Sequence, residues 1–314
     1  MPRVLITETL AESADAWLCE RAEVVRCAHD DPGLDGPLGE AEGLVVRTYT
    51  IVDEAFLDRA PKVKVVGRAG VGLDNIDLQA CKRRGVRVVH TPDANTQAVV
   101  EYVFALMLDH YRPCTDLPTR ADAQTFHGLR KTEVGKQLDQ LTLGIVGFGR
   151  IGKRLGCVAH ALGMNLKVCD LLPEAELRKA VDYPFDFVDH PALYAGCDIV
   201  SIHVDGRAEN RQMVDASALK HLRDDCLFIN AARGMLHDSE ALSDWAKAHP
   251  QAQVILDVHD PEPPPGSYPL YGLANVRLLP HIASRTFEAL DNMSWVVRDV
   301  VKVLEGREAE HAAV

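Results

Sequence analysis

The chain has 314 residues, 47% of them hydrophobic and 25% charged, with a formal net charge of -12. A chain of this length has room for two domains of about 150 residues, each with its own core. The acidic balance argues against non-specific binding to nucleic acid or to an anionic membrane.

The N-terminal "MPRVLITE" enters a strand pattern at once. No apolar run reaches the roughly 18 residues of a membrane span, so neither a signal peptide nor a transmembrane helix is expected. Short apolar runs then alternate with helix-length amphipathic stretches: "RVLIT", "EVVRC", "GLVVR", "VKVVG" and "VRVVH", with "AESADAWLCERA", "IVDEAFLDRA" and "NIDLQACKRRG" between them. From Asn95 to Tyr111 the chain reads as one long apolar helix, a bridge from a first α/β domain to a second. A polar arm follows, over about residues 115–140, without a clear strand. The alternation resumes with "TLGIVG", "LKVCD", "CDIVSIH", "CLFIN", "QVILD" and "VRLLP". A last helix is expected from about Arg285 to Leu304, packed back onto the first domain. Regular β/α alternation implies parallel sheets covered by helices on both faces. The eight cysteines are scattered, with no CxxC and no metal-type spacing, so no metal site is expected and a reducing cytoplasm fits best.

The segment "GIVGFGRIG" carries Gly147, Gly149 and Gly152 in GxGxxG spacing. Alone this pattern is weak. Here a buried strand precedes it, a helix follows, and a second strand ends in Asp170 about 20 residues downstream, which is the dinucleotide-binding context. Gly147 permits the sharp turn, Gly149 lets backbone approach a pyrophosphate, and Gly152 lets the helix pack on the strand. The pyrophosphate is expected at the amides of Arg150 and Ile151, at the positive end of the helix. Asp170 accepts from ribose hydroxyls and repels a 2′-phosphate, so NAD is expected over NADP.

Three later strand ends carry polar groups. "CLFINAARG" ends in Arg233, "QVILDVHDPEP" in Asp257 and Glu262, and "VRLLPHIAS" in His281. Ligands of open parallel sheets bind at the carboxyl ends of the strands. Each residue alone has a plain reading, as a surface arginine, a turn acid or an incidental histidine. Glu262 is unusual in standing between two prolines, which fix the backbone on either side. Together the three supply an anion binder, an acid and a base.

With these residues in hand the sequence closely resembles the D-isomer-specific 2-hydroxyacid dehydrogenases, above all the D-3-phosphoglycerate dehydrogenase branch. The matching stretches are "VVRTYT", "VVGRAGVGLDNID", "NTQAVVEY", "TLGIVGFGRIGKRLG", "INAARGMLHDSEAL", "LDVHDPEP" and "LPHIASRT", in family order from about residue 44 to 290. The resemblance implies two Rossmann/flavodoxin-like doubly wound domains with the active site in the cleft between them. Residues 1–97 with 285–314 would form the substrate-binding domain and residues 98–284 the NAD-binding domain. It implies Arg233 as substrate-binding arginine, Glu262 as acid and His281 as acid/base. A carboxylate bonded to imidazole favours the protonated ring and fixes its orientation. Asp257, Ala231, Ala232, His203 and Ser284 would line the cofactor. Gly70, Val71 and Gly72 would bind the substrate carboxylate through backbone amides, with Thr48 and Asn95 nearby. Arg47 and Arg68 match arginines that reach a distal anionic group, such as a phosphate; the plain alternative is two surface arginines. A homodimer formed through the cofactor domains is implied as well.

Departures from the family pattern fall after "SIH", where "VDGRAENRQMV" replaces the usual proline and threonine, and before the glycine turn, where a common tryptophan is absent. The sequence ends at Val314, so feedback control through a regulatory tail is not expected. Two other readings stand beside the phosphoglycerate one: a glyoxylate/hydroxypyruvate or lactate-type reductase of the same family, and an NAD-sensing interaction protein like the related corepressors.

Overall fold

The computed structural model describes residues 1–112 and 114–314. Two compact units emerge, Met1–Asn95 with Ser284–Val314, and Thr96–Ala283. Thr96 and Gln97, expected in the first unit, open the helix Thr96–Tyr111 whose apolar side packs into the core of the second. Ser284, expected in the second, falls to the first.

In the first unit five strands, β1 (Arg3–Ile6), β2 (Glu23–Arg26), β3 (Gly43–Val46), β4 (Val65–Arg68) and β5 (Arg87–His90), form one parallel sheet in the order β2-β1-β3-β4-β5. This is the flavodoxin-like doubly wound order. The central strands are short and apolar because helices cover both faces. One covering helix, Val297–Leu304, lies so close that a Cβ on Gly67 of β4 would come within 2.4 Å of Val300. The chain end pairs antiparallel beside β5, where Ala313 N–H donates to the Val88 carbonyl. The expected single helix over 285–304 is in fact two, Phe287–Ser294 and Val297–Leu304, broken at Trp295 and Val296.

The second unit holds seven parallel strands: β6 (Thr142–Val146), β7 (Asn165–Cys169), β8 (Asp186–Phe187), β9 (Ile199–Ile202), β10 (Leu227–Asn230), β11 (Gln253–Leu256) and β12 (Val276–Leu278). Their order, β12-β11-β10-β9-β6-β7-β8, reverses direction between β6 and β9. A Rossmann sheet binds its dinucleotide at this switch point. The two-residue edge strand β8 is the one described strand without a counterpart in the apolar runs. Aspartates start many of the helices: Asp53, Asp77, Asp122, Asp189, Asp215 and Asp238 each accept a first-turn backbone N–H. Such caps satisfy donors that the helix itself leaves unpaired. In the polar arm, where the sequence shows no strand pattern, helix Ala123–Thr132 forms with no buried residue. No helix among the described residues is long and apolar enough to cross a membrane.

Candidate active site

Strand β6 runs into Gly147, whose φ of 90° lies in the left-handed region that favours glycine. A Cβ there would also lie 2.6 Å from the His203 carbonyl oxygen, so the turn is pressed against the end of β9. Gly152 is the tightest point: a Cβ would stand 2.2 Å from the Gly147 oxygen. Gly149 behaves in the opposite way. It caps the helix Arg150–Ala161 without a side chain, and a Cβ added to it would meet nothing within 4 Å. Open space therefore fronts the positive end of this 12-residue helix, next to Arg150 and Ile151. Asp170, at the end of β7, accepts from the Phe148 amide through Oδ2 (2.5 Å) and from the Leu172 amide through Oδ1 (2.8 Å). These bonds pin the acid beside the glycine turn and leave lone pairs for further donors. A dinucleotide fits this cradle: two glycines are required by close approach, the third leaves room for phosphate, and an acid is fixed where ribose would lie. His203 contributes a backbone wall. Burial pushes its imidazole down to about 4, Ser201 Oγ bonds its Nε2 at 2.8 Å, and Nδ1 is buried with no partner among the described residues.

Strands β10, β11 and β12 are parallel neighbours, so their carboxyl ends share one edge. Arg233, Glu262 and His281 all follow those ends. His281 Nδ1 stands 2.8 Å from Glu262 Oε2, while Glu262 Oε1 accepts the His259 backbone N–H at 2.8 Å. Burial alone would raise the Glu262 carboxyl. The His281 hydrogen bond, the His259 amide and their charges outweigh burial and hold it below the usual glutamate range. The bonds Asp260–Pro261 and Glu262–Pro263 are both cis. His281 has φ 55°, uncommon for a residue with a Cβ and typical of functional positions.

Asp257 holds that conformation. Its two carboxylate oxygens accept the backbone N–H of Ile282 (3.0 Å) and Ala283 (2.8 Å), and the Tyr102 hydroxyl donates to Oδ1 at 3.2 Å. Asp257 is 1% exposed, and burial raises its pKa despite these donors. Asp257, expected to line the cofactor, clamps the segment after His281 through these bonds. Arg233 lies on a turn where Nη1 donates to the Ala232 carbonyl at 2.6 Å. The half-buried Ala231 and Ala232 precede it, and the Ala232 amide donates to Asn230 Oδ1 at 3.0 Å. The next residue, Gly234, packs directly on the His259 backbone, where a Cβ would come within 2.0 Å. The arginine turn and the Glu262 loop are therefore in contact.

The remaining expected residues lie in the first unit. Arg47 follows β3 and Arg68 ends β4, on the same edge of adjacent strands. The Arg47–Thr50 loop is built around Glu8, whose carboxylate accepts the amides of Arg47 (3.0 Å), Thr48 (2.9 Å), Tyr49 (3.1 Å) and Thr50 (3.0 Å). Asn75 holds the loop from the other side through the carbonyls of Arg47 and Thr50. Gly70, at φ 153°, a conformation side chains rarely adopt, lies under the Arg68 guanidinium. The Val71 carbonyl meets His90 Nδ1 at 2.9 Å, and Gly72 follows in the same loop. Asn95 Oδ1 is buried without a partner among the described residues. Ser284 begins the return into this unit.

Sequence reasoning missed Glu8, Asn230, His237, His259 and Tyr268. The available sign for His259 was a histidine directly after the buried run "VILDV" and just before two acids.

Residues 104–283 match the family described as D-isomer specific 2-hydroxyacid dehydrogenase, NAD binding domain. The D-3-phosphoglycerate dehydrogenase of Archaeoglobus fulgidus is 34% identical over 99% of this chain and 59% of its own length. The chain thus spans about three-fifths of that relative. The hydroxypyruvate reductase of Thermotoga maritima is 32% identical over 91% of this chain and 93% of its own. Among solved structures, the TT0316 protein of Thermus thermophilus superimposes with a TM-score of 0.84 at 32% identity, covering 99% of this chain and 100% of that one. Matched in sequence through nearly all of its second unit, and in fold from end to end, the chain belongs to the D-isomer specific 2-hydroxyacid dehydrogenase family.

Proposed function

We propose that the chain is an NAD(H)-dependent oxidoreductase that interconverts a D-2-hydroxy acid and its 2-oxo acid. The carrying observation is the 2.8 Å pair of His281 Nδ1 and Glu262 Oε2, on the strand edge of the sheet that also bears the glycine turn. When bound, NAD(H) supplies the hydride acceptor or donor. The rest is the work of this chain. Gly147, Gly149, Gly152 and the helix start at Arg150 and Ile151 hold the pyrophosphate, and Asp170 the ribose. Glu262 fixes the imidazole through Nδ1, which leaves Nε2 for the substrate oxygen. His281 takes the hydroxyl proton in oxidation and returns it in reduction. Arg233 offers its fork of donors to the substrate carboxylate and polarises the carbonyl. Gly70, Val71, Gly72, Thr48 and Asn95 add substrate contacts from the first unit, and Arg47 and Arg68 select a substrate with a second negative charge.

A second reading, an unphosphorylated hydroxypyruvate-type 2-oxo acid as substrate, draws support from the full-length match to the Thermotoga maritima reductase. A third is an NAD sensor without turnover. A reducing, cytoplasmic setting suits a chain whose eight cysteines are all free.

The test is oxidation of NADH and NADPH against phosphorylated and unphosphorylated 2-oxo acids. NADH-dependent turnover, best with a phosphorylated substrate and narrowed in cofactor preference by Asp170→Ala, is the expected result. Faster turnover of unphosphorylated acids favours the second reading. Tight NADH binding with no turnover of any acid favours the sensor and overturns the proposal.

A further inference from the structure

A buried polar column stands behind the acid/base pair, and none of its members has a role in the chemistry above. It starts at His259, 8% exposed, whose backbone N–H holds Glu262 Oε1. The His259 ring points elsewhere: Nε2 lies 2.8 Å from the carbonyl oxygen of Leu279, two residues before His281. A carbonyl only accepts, so Nε2 carries the hydrogen. One residue thus grips the Glu262 loop through its backbone and the strand end that delivers His281 through its side chain.

Tyr268 meets the His259 ring edge-on, with centroids 5.6 Å apart at 89°. The Tyr268 hydroxyl accepts from Ser239 Oγ at 3.3 Å and approaches His237 Nε2 at 3.5 Å, the outer limit of a hydrogen bond. His237 is 3% exposed, and burial, reinforced by the charge of His259, pushes it down to about 4, so it stays neutral. Its Nδ1 faces Asn230 Nδ2 at 3.1 Å. Asn230 is fully buried and uses its whole amide: the second hydrogen goes to the Arg233 carbonyl at 2.8 Å, and Oδ1 takes the Ala232 amide. Gly234 closes the circuit by packing on the His259 backbone. His259 Nδ1 is buried without a partner among the described residues, while the other contacts named here link the loops they join, and buried polar links of this kind favour one arrangement of them.

We infer that His259 is a positioning residue of the active site, setting Glu262 against His281 and, through Tyr268, His237 and Asn230, holding the Arg233 turn in the same register. The inference rests on the acid/base reading of the Glu262–His281 pair. It assigns the second unit a supporting layer that the reacting groups alone do not reveal.

His259→Phe separates this role from a merely structural one. Phenylalanine keeps the ring against Tyr268 and the backbone N–H to Glu262, and loses the bond to Leu279 together with the imidazole's electrostatic effect on Glu262 and His237. His259→Gln restores a donor and serves as the conservative partner, and as the fallback should the Phe variant unfold. The expected result is a kcat lower by roughly tenfold to a hundredfold, the scale of a small misplacement of reacting groups. NADH affinity should be unchanged, with partial recovery in His259→Gln. The kcat/KM profile against pH should move toward that of Glu262→Gln, and His259→Phe should add little in a Glu262→Gln background, since the two act on one contact. NMR titration of the His281 ring reads the same coupling without turnover. Changed Tm with unchanged kcat, pH profile and His281 titration would overturn the inference and leave the function standing. Wild-type silence toward every 2-oxo acid would sink the function; an unaltered His281 titration in the variant would then sink the positioning role separately.

Discussion

Glu262 shows how much a single residue draws from its surroundings. Its carboxyl is held below the ordinary value of 4.5 because the His281 bond and the His259 amide outweigh burial. A depressed carboxyl contributes stability above its unfolded pKa and loses it as pH falls through the folded one. The Glu262 carboxylate therefore keeps its charge through neutral and mildly acid pH and loses it only below the usual glutamate range. Glu262→Gln keeps a hydrogen-bonding side chain and removes the charge. In reduction His281 must begin protonated, so the pH above which reduction fails should move down in the variant, with NADH affinity intact. His281→Ala should lose far more, roughly 10²–10⁴-fold in kcat/KM, the span of a positioned acid/base. An unchanged reductive limit in Glu262→Gln would leave the acid as a turn residue between prolines. The candidate catalytic residues were legible in sequence because proton transfer and carboxylate binding need particular side chains at strand ends. Their supports were not. Asp257 reads as one more strand-end acid until both its oxygens are seen on the Ile282 and Ala283 amides. Glu8 works on amides some 40 residues away, a pairing that no local pattern encodes.

Among the elements, legibility followed the short apolar runs. The eleven apolar runs all became strands; the central ones have no room for polar alternation, while the edge strands β2 and β12 carry the apolar run without a buried residue. The misses were short or interrupted. β8 has two residues, and helix Asp35–Glu40 holds two glycines and a proline, against its own propensity. The C-terminal helix was expected whole because its apolar pattern continues across Trp295, where the structure breaks it. Gly67 offers a test of how tightly its second half is docked. A Cβ at that position would lie 2.4 Å from Val300, itself fully buried. Gly67→Ala should destabilise the first unit by about 1–3 kcal/mol, the usual cost of overpacking. Val300→Ala in the same chain should recover part of that loss by opening the missing space. Urea denaturation of the single and double variants measures both terms, and additive losses would place the fault in backbone strain instead of the helix–strand contact.

At the scale of the whole molecule, the expected homodimer needs a different argument from the one the sequence offered. The apolar helix Thr96–Tyr111 invited the view that its hydrophobic surface must seek another chain. In the structure Val99, Val100, Val103, Phe104 and Met107 are consumed by the second unit's own core. The arm that follows the helix is exposed. Helix Ala123–Thr132 buries no residue, and Leu117, Phe126 and Val134 around it are 52%, 43% and 79% exposed. An isolated helix of 10 residues is marginal in water, since its stability normally comes from packing an apolar face. The expectation is that the exposed apolar groups on and beside this helix form a contact surface. A second copy of the chain supplies one most economically, because a two-fold axis lets each arm cover the other molecule with the same residues. Light scattering at micromolar concentration should therefore give twice the 34.5 kDa chain mass. Phe126→Glu with Val134→Glu, which places charge on the uncovered arm and leaves the core untouched, should shift the protein to monomer. A monomeric wild type would rule the dimer out, and an unshifted variant would move the interface away from the arm.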